Sequence, residues 1–176
     1  MPTLGTSKVT SSSSVNSSSA DRAAKPQPST FTSTGGPSIN TVEITATDEF
    51  RTTAQELYNT FTSADRLTAF TRAPPKVFEG AQKGSHFALF GGNVSGSFAE
   101  LDPPKRIVQN WRLGTWPEGH YSKLDIVFDQ NNEDQVTLMR VKWSGVPVGE
   151  DEVVKRNWDE FYVKSMKRTF GFGTIL

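Results

Sequence analysis

Residues 150–171 read EDEVVKRNWDEFYVKSMKRTFG, and this stretch decides the fold. Its apolar residues recur at helical spacing, which predicts an amphipathic helix with one broad buried stripe. The stripe consists of Val154, Trp158, Phe161, Tyr162, Met166 and Phe170. Asp151 and Glu152 fall in the first turn, where the helix dipole favours acidic side chains, and Gly171 suits the position just after the last turn. Such a helix has about 20 residues and spans about 30 Å, so it can cross a sheet diagonally.

The chain upstream of this helix has the two-residue period of β-strands. Between residues 76 and 143, apolar and polar residues alternate in short runs that are separated by turn sequences such as Gly91-Gly92-Asn93. One strand places four residues on a single face: Ile107, Gln109, Trp111 and Leu113. Successive strands joined by short turns predict an antiparallel meander of roughly six strands.

A strand and two short helices precede the meander. Residues 39–47 alternate and predict a half-buried strand. Thr53 and Glu56 form the Thr-x-x-Glu pattern of a capping box, which predicts a helix that runs to about Thr62. Ser63 can cap a second helix that ends before Pro74. The complete order predicts an α+β helix-grip fold, in which a curved antiparallel sheet wraps around the long C-terminal helix.

Residues 1–38 differ in composition from the rest of the chain. They contain 11 Ser and few large apolar residues, so they cannot bury enough surface to offset the entropy of ordering the backbone. We predict a disordered Ser-rich linker or tail over 1–38 and a folded domain over 39–176. The tail has no apolar run of the length that a secretory signal requires.

Charge and composition exclude several classes of function. The 176 residues include 19 Lys+Arg, 19 Asp+Glu, two His and no Cys. The balanced charge argues against binding of nucleic acid or an anionic membrane surface through bulk positive charge. The absence of Cys excludes disulfides, thiolate metal sites and a Cys nucleophile. We therefore expect no nucleic acid, no membrane, no metal and no cofactor among the partners.

No sequence motif specifies catalysis. His86 and His120 are isolated, and residues 92–96 lie in a hairpin context that suits neither a nucleophile elbow nor a phosphate loop. Residues 129–134 resemble the opening of a calcium loop, but Asp134 occupies the position that requires glycine, which favours a solvated hairpin. We predict that the chain is not an enzyme and has no catalytic residues.

Residues 111–121 are the strongest candidate for a binding site. Two Trp, one Arg, one His and one Tyr gather at a strand–loop–strand junction, and Trp, Tyr and Arg are common anchors of protein interfaces. The candidate partner-binding residues are Arg112, Trp116, Pro117 and His120. Trp111 shares its face with core residues, whereas Trp116 lies in the loop and is the better candidate for exposure. A packed structural role for Trp116 remains the alternative.

Several motifs resemble one known family, the activators of the heat-shock protein 90 ATPase, in their C-terminal domain. The motifs lie within residues 39–176: Gly91-Gly92-Asn93-Val94-Ser95-Gly96-Ser97-Phe98, Trp111-Arg112, Trp116-Pro117, His120-Tyr121-Ser122, Gly145-Val146-Pro147, Trp158 and Phe170-Gly171-Phe172-Gly173. The resemblance implies a START-like helix-grip fold and a cytoplasmic co-chaperone. It also implies binding to the N-terminal ATPase domains of the chaperone dimer, which promotes the closed state and ATP hydrolysis.

The chain departs from the full pattern of that family. Its members usually carry a separate N-terminal domain that docks on the middle segment of the chaperone, whereas a Ser-rich stretch precedes the fold in this sequence. The resemblance therefore implies weaker binding or partial stimulation, by a domain that is a monomer on its own.

Two other functions remain open at the level of sequence. A helix-grip fold can enclose an apolar cavity, which suggests a carrier of a hydrophobic small molecule such as a lipid. Candidate lining residues are Phe87, Leu89, Trp111, Phe128, Trp158 and Phe161, which could equally fill the space. A cyclase or hydratase would need a polar pair inside the cavity, but the inward-facing positions are apolar.

Overall fold

The computed structural model describes residues 39–174. The predicted disordered tail, residues 1–38, lies outside the described residues. Within residues 39–174 there are seven strands: β1 (Thr41–Phe50), β2 (Val77–Phe78), β3 (His86–Leu89), β4 (Val94–Asp102), β5 (Arg106–Leu113), β6 (Ser122–Asn131) and β7 (Val136–Pro147). The helical segments are α1 (Ala54–Thr62), α2 (Ala64–Thr71), a 3₁₀ turn (Phe90–Gly92), α3 (Asp151–Asn157), a π-helical segment (Trp158–Lys164) and α4 (Ser165–Phe170).

The seven strands form one antiparallel sheet in the order β1-β7-β6-β5-β4-β3-β2. Strands β2 to β7 are therefore the predicted meander, and the predicted helix-grip order of elements is confirmed. The first strand pairs with the last, from Thr41 opposite Pro147 to Phe50 opposite Thr137. This pairing carries β1 three residues past Thr47, where the sequence predicts that the strand ends, because β7 continues to supply hydrogen-bond partners.

Side chains cap the N-termini of both short helices, as the sequence predicts. Thr53 Oγ1 accepts a hydrogen bond from the Glu56 amide at 3.2 Å, and Ser63 Oγ accepts one from the Arg66 amide at 3.5 Å. The capping box is only half formed, since the Glu56 carboxylate accepts a hydrogen bond from the Arg66 guanidinium at 2.7 Å. At α1, the Gln130 side chain supplies a further acceptor, 2.8 Å from the Ala54 amide.

The C-terminal helix covers residues 151–170, but its central turns are π-helical rather than α-helical. A π-turn bonds i to i+5, so the buried face shifts by about one residue relative to an α-helix. Val163 is consequently buried, whereas Phe161 is 53% exposed. The predicted stripe is correct for Val154, Trp158, Tyr162 and Met166, all of which are buried, and wrong for Phe161.

The core fills the space between the sheet and the C-terminal helix. The four Trp side chains are all buried there with most of the Phe side chains. After Gly171, which adopts a left-handed φ of 70°, the chain turns back toward β1. The Phe172 carbonyl then accepts a hydrogen bond from the Arg51 amide at 2.6 Å, and its ring packs edge-on against Phe50. The Phe-Gly-Phe-Gly ending therefore anchors the helix to the edge of the sheet.

Candidate interaction site

Arg112 donates hydrogen bonds to the backbone of the loop between β5 and β6. Its Nη2 donates to the carbonyl oxygens of Trp116 at 2.7 Å and Pro117 at 3.3 Å, and its Nε donates to that of His120 at 3.3 Å. The guanidinium is thus largely used within the chain. These hydrogen bonds fix the backbone of the loop, and the predicted contact of Arg112 with a partner stays a prediction.

Trp116 lies inside the domain, so the expected exposure of this residue is wrong and the packed alternative is correct. The side chain is only 4% exposed. Its ring packs edge-on against Trp111 with centroids 5.7 Å apart, and its Nε1 donates to Glu150 Oε1 at 3.1 Å. The sequence could not indicate this, because Glu150 lies 34 residues away.

His120 also has a structural contact. Its Nε2 lies 2.7 Å from the Gly145 carbonyl oxygen, which can only accept, so Nε2 carries the hydrogen. The ring is half-buried and lies 6.0 Å from the Trp116 ring. Gly145 has a φ of 82°, which glycine adopts at little cost, and the turn of its backbone directs the carbonyl toward the imidazole. His120 therefore connects the loop to β7.

The tip of the loop is the part that faces solvent. Pro117, Glu118 and Gly119 are exposed, and Tyr121 is 47% exposed with its ring 5.8 Å from the Arg112 guanidinium. We call Pro117, Glu118, Gly119 and Tyr121 the loop face. Tyr121 is absent from the predicted contact residues. Its neighbour Ser122 is buried, and the alternation of side chains along a strand then turns Tyr121 outward.

A chain of aromatic rings connects this loop with the C-terminal helix. Trp111 lies 4.7 Å from Trp143, Trp143 lies 5.2 Å from Trp158, and Trp158 stacks on Tyr162 at 4.6 Å. Burial raises the pKa of Tyr162, so the phenol is neutral, and it accepts a hydrogen bond from Trp111 Nε1. Together with Trp116, which packs on Trp111, these rings form a continuous packed connection from the loop to the helix.

The hydroxyl group of Ser122 supplies hydrogen-bond partners to two residues of this aromatic cluster. Ser122 Oγ accepts from Trp143 Nε1 at 2.9 Å and donates to the Trp111 carbonyl at 2.7 Å. Trp158 Nε1 is buried and has no acceptor among the described residues. The cluster thus combines stacking with a nearly complete set of hydrogen bonds.

The space proposed for a carried ligand is filled by the protein itself. Five of the six candidate lining residues belong to the packed core, and the sixth, Phe161, faces outward. Two clefts border the C-terminal helix, with volumes of about 250 and 170 Å³. Sites for drug-sized ligands usually have about 300–1,000 Å³. The geometry does not favour the carrier hypothesis.

Other side chains considered from the sequence have local roles. Residues 129–134 form the end of β6 and its turn, and the side chain of Gln130 caps α1. His86 is exposed and pairs with Glu79 at 3.1 Å. Hydrogen bonds from the His86 backbone and ring lower the pKa of Glu79.

Within residues 39–174, no three His, Asp or Glu side chains come close enough together to hold a metal ion. None of the helices in this part of the chain combines the length and the apolar character that crossing a membrane requires.

Comparison with known proteins identifies one family. The family described as "Activator of Hsp90 ATPase homolog 1-like protein" matches residues 51–171. The chain is 39% identical over 158 residues to the human "Activator of 90 kDa heat shock protein ATPase homolog 1". The aligned region covers 89% of this chain and 45% of the human protein. The chain is 36% identical over 139 residues to "Hsp90 co-chaperone AHA1" of Saccharomyces cerevisiae, covering 78% of this chain and 40% of that protein. The chain thus spans less than half the length of these relatives.

Solved structures agree with the fold. A crystal structure of an HSP90 activator from Plasmodium falciparum superposes with a TM-score of 0.69 at 25% identity, covering 74% of this chain and 97% of that one. CalU16 from Micromonospora echinospora superposes with a TM-score of 0.57 at 19% identity, covering 73% of this chain and 78% of that one, and supports the fold alone. The START-like helix-grip fold implied by the resemblance is therefore confirmed.

Proposed function

Because the chain belongs to the family of Hsp90 ATPase activator-like proteins, we propose that it is a co-chaperone domain that binds the Hsp90 dimer. It contacts the N-terminal ATPase domains, promotes their closed state and thereby stimulates ATP hydrolysis. It acts in the cytoplasm and is a monomer on its own.

The match over residues 51–171 carries this proposal, and the printed names of the relatives support it. Those relatives are more than twice as long as the matched region. We therefore propose that this domain alone binds more weakly than a full-length activator and stimulates hydrolysis only in part.

The mechanism requires no chemical step on this chain. A domain that prefers the closed dimer raises the population of that state by its difference in affinity for the two states. A tenfold preference for the closed state shifts the equilibrium by about 1.4 kcal/mol. The catalytic groups, the nucleotide and its metal belong to the chaperone, so we propose no catalytic, cofactor-binding or metal-binding residue here.

We place the contact surface on the loop face. Pro117 and Tyr121 offer exposed apolar area on a backbone that Arg112, Trp116 and His120 hold in position. A rigid, preorganised loop loses little entropy on binding, which favours affinity. Of the four residues predicted to bind the partner, Pro117 thus contacts it directly and the other three act through the loop.

The first experiment is a titration of ¹⁵N-labelled full chain with the Hsp90 N-terminal domain, with and without a non-hydrolysable ATP analogue. We expect resonance changes in residues 114–121 that are larger with the nucleotide. The ATPase rate of the full-length chaperone should rise on addition of the chain. No shift in either nucleotide state would refute the proposed function.

A matched pair of variants tests the surface separately. Pro117→Ser together with Tyr121→Ser should weaken binding at least about fivefold, since each removes exposed apolar area at the proposed contact. Val77→Ser is the control, because Val77 is 40% exposed on the edge strand β2, three strands away from β5. If binding persists unchanged in the double variant, the loop face is not the contact surface.

A further inference from the structure

Strand β1 forms a long free edge of the sheet. It pairs with β7 on one side, and within residues 39–174 no strand lies on its other side. In an antiparallel pair, alternate residues direct their backbone N–H and C=O groups away from the partner strand. A ten-residue edge can therefore accept a further strand. The opposite edge, β2, has only two residues.

A cleft of about 250 Å³ runs between this edge and the C-terminal helix. Ile44, Ala46 and Asp48 line it from β1, and Trp158 and Asp159 line it from the helix. The small side chain of Ala46 leaves room opposite the indole. A cavity of about 150 Å³ can hold benzene, so this cleft can take one large apolar side chain.

The acidic residues of β1 favour a basic ligand along this edge. Strand β1 contains Glu43, Asp48 and Glu49 and no basic residue. Lys155 lines the cleft but pairs with Glu152 at 3.7 Å, and Lys164 pairs with Asp159 at 3.2 Å. Lys167 lies over the Phe50 ring at 5.1 Å, and Lys142 of β7 pairs with Glu43 at 3.7 Å on the exposed face.

Asp48 is half-buried at the cleft, and its pKa is shifted. Burial raises the pKa of Asp48, Lys167 opposes this shift and Asp159 adds to it. Like charges directly opposite each other destabilise a strand pair, so two copies of β1 repel, whereas a basic strand is attracted.

We propose that the β1 edge binds an extended peptide segment with alternating apolar and basic side chains. The peptide backbone adds a strand to β1, one apolar side chain enters the cleft on the inner face, and the alternate basic side chains point to the outer face, where Glu43 and Glu49 lie. This mode obtains affinity from main-chain hydrogen bonds and specificity from the pocket below. The site goes beyond the proposed function and uses none of the residues of the loop face.

The probe is a fluorescein-labelled nine-residue peptide of alternating valine and lysine, titrated into the full chain by fluorescence anisotropy. We expect saturable binding, and amide shifts in a ¹⁵N spectrum concentrated at residues 42–49. The same peptide with alternate backbone nitrogens methylated keeps its charge but loses its hydrogen bonds along one edge. It should bind at least about tenfold more weakly. Equal binding of both peptides would overturn the proposal.

Two pairs of variants test the cleft and the charge. Ala46→Phe fills the cleft, while Thr45→Phe adds the same bulk on the solvent side of the strand. Glu49→Lys reverses the charge on the outer face of β1, and Asp134→Lys makes the same change in the β6–β7 turn. We expect the first member of each pair to weaken peptide binding at least about tenfold relative to the second.

The result remains decisive if a variant unfolds, because the methylated peptide acts on the unmodified protein. Concentration-dependent shifts of the β1 amides without peptide would assign the edge to a second copy and overturn the proposal. Loss of chaperone binding in the double loop-face variant, with peptide affinity retained, would separate the two sites.

Discussion

The indole Nε1 of Trp116 donates a hydrogen bond to Oε1 of Glu150 at 3.1 Å. This bond ties the β5–β6 loop to the residue that directly precedes the C-terminal helix. Because Trp116 also packs on Trp111, the loop that carries the proposed contact surface is anchored in the core through this one side chain. Its conformation and the stability of the domain are therefore linked.

Replacing Trp116 should destabilise the domain rather than remove a surface contact. We expect Trp116→Ala to lower the free energy of unfolding by about 3–5 kcal/mol, the usual cost of truncating a buried aromatic side chain. Glu150→Ala removes only the hydrogen bond and should cost about 1 kcal/mol. Urea unfolding followed by tryptophan fluorescence checks both values. A loss below about 1 kcal/mol in Trp116→Ala would contradict the buried position.

A methyl group at Gly96 should destabilise the sheet. Any Cβ at this position would collide with the carbonyl oxygen of Asn110 on β5, a backbone atom that cannot move without disturbing the strand pair. We expect Gly96→Ala to cost about 1–3 kcal/mol, as overpacking usually does. Ser95→Ala, at the adjacent position, is the control and should cost less than about 0.5 kcal/mol. Thermal unfolding of the two variants measures the difference in stability, and equal melting temperatures would refute the clash.

Arg112→Lys should loosen the loop although it conserves the charge. A lysine ammonium cannot reproduce the planar fork that reaches three loop carbonyls. We expect faster amide hydrogen exchange at Trp116 and His120, whose amides bond to Leu113 and Pro117 within the loop. Arg140→Lys is the control, since Arg140 makes an exposed ion pair with Asp129 at 3.3 Å. Unchanged exchange in Arg112→Lys would show that the guanidinium does not hold the loop.

The stability of the domain should depend on pH through Asp48. Burial raises the pKa of this carboxyl in the folded state, against the opposing effect of Lys167. The folded state then holds the proton more tightly than the unfolded state, so this group costs stability as pH rises above the unfolded pKa of about 3.9. The cost is complete above the folded pKa and absent well below the unfolded one.

Asp48→Asn removes this cost, and we expect the variant to be more stable than the unmodified chain at pH 7 but not at pH 3. Urea unfolding at both pH values measures the difference. Thr47→Asn, on the solvent side of the same strand, controls for the general effect of an asparagine in β1. A variant that gains nothing at pH 7 would show that the carboxylate is not desolvated.

Sequence periodicity predicted the elements whose stability depends on local pattern. The alternation around Trp111 correctly placed Ile107, Trp111 and Leu113 on the buried face, and the side chains of Thr53 and Ser63 cap the helices that they were expected to begin. These features rest on neighbours within a few residues, which periodicity can detect.

The features that the sequence did not reveal depend on contacts between distant residues. Trp116 is buried because its Nε1 donates to Glu150 and its ring packs on Trp111, and no local pattern links those three positions. Phe161 is exposed because the central turns of the helix are π-helical. Both ends of residues 151–170 keep the α-helical period, and the buried face shifts between them. The sequence likewise contains no sign that Arg112 bonds to three loop residues, because the acceptors are backbone carbonyls, which every residue has.

The pairing of β1 with β7 has a consequence for how the chain folds during synthesis. At about 5–20 residues per second, a ribosome needs roughly 5–20 s to add the residues between Phe50 and the end of β7. Throughout this interval β1 has been made but the strand that it pairs with has not. Closure of the sheet by β1 therefore cannot begin before β7 has been made, and a nascent chain stalled before residue 136 should remain sensitive to protease at β1.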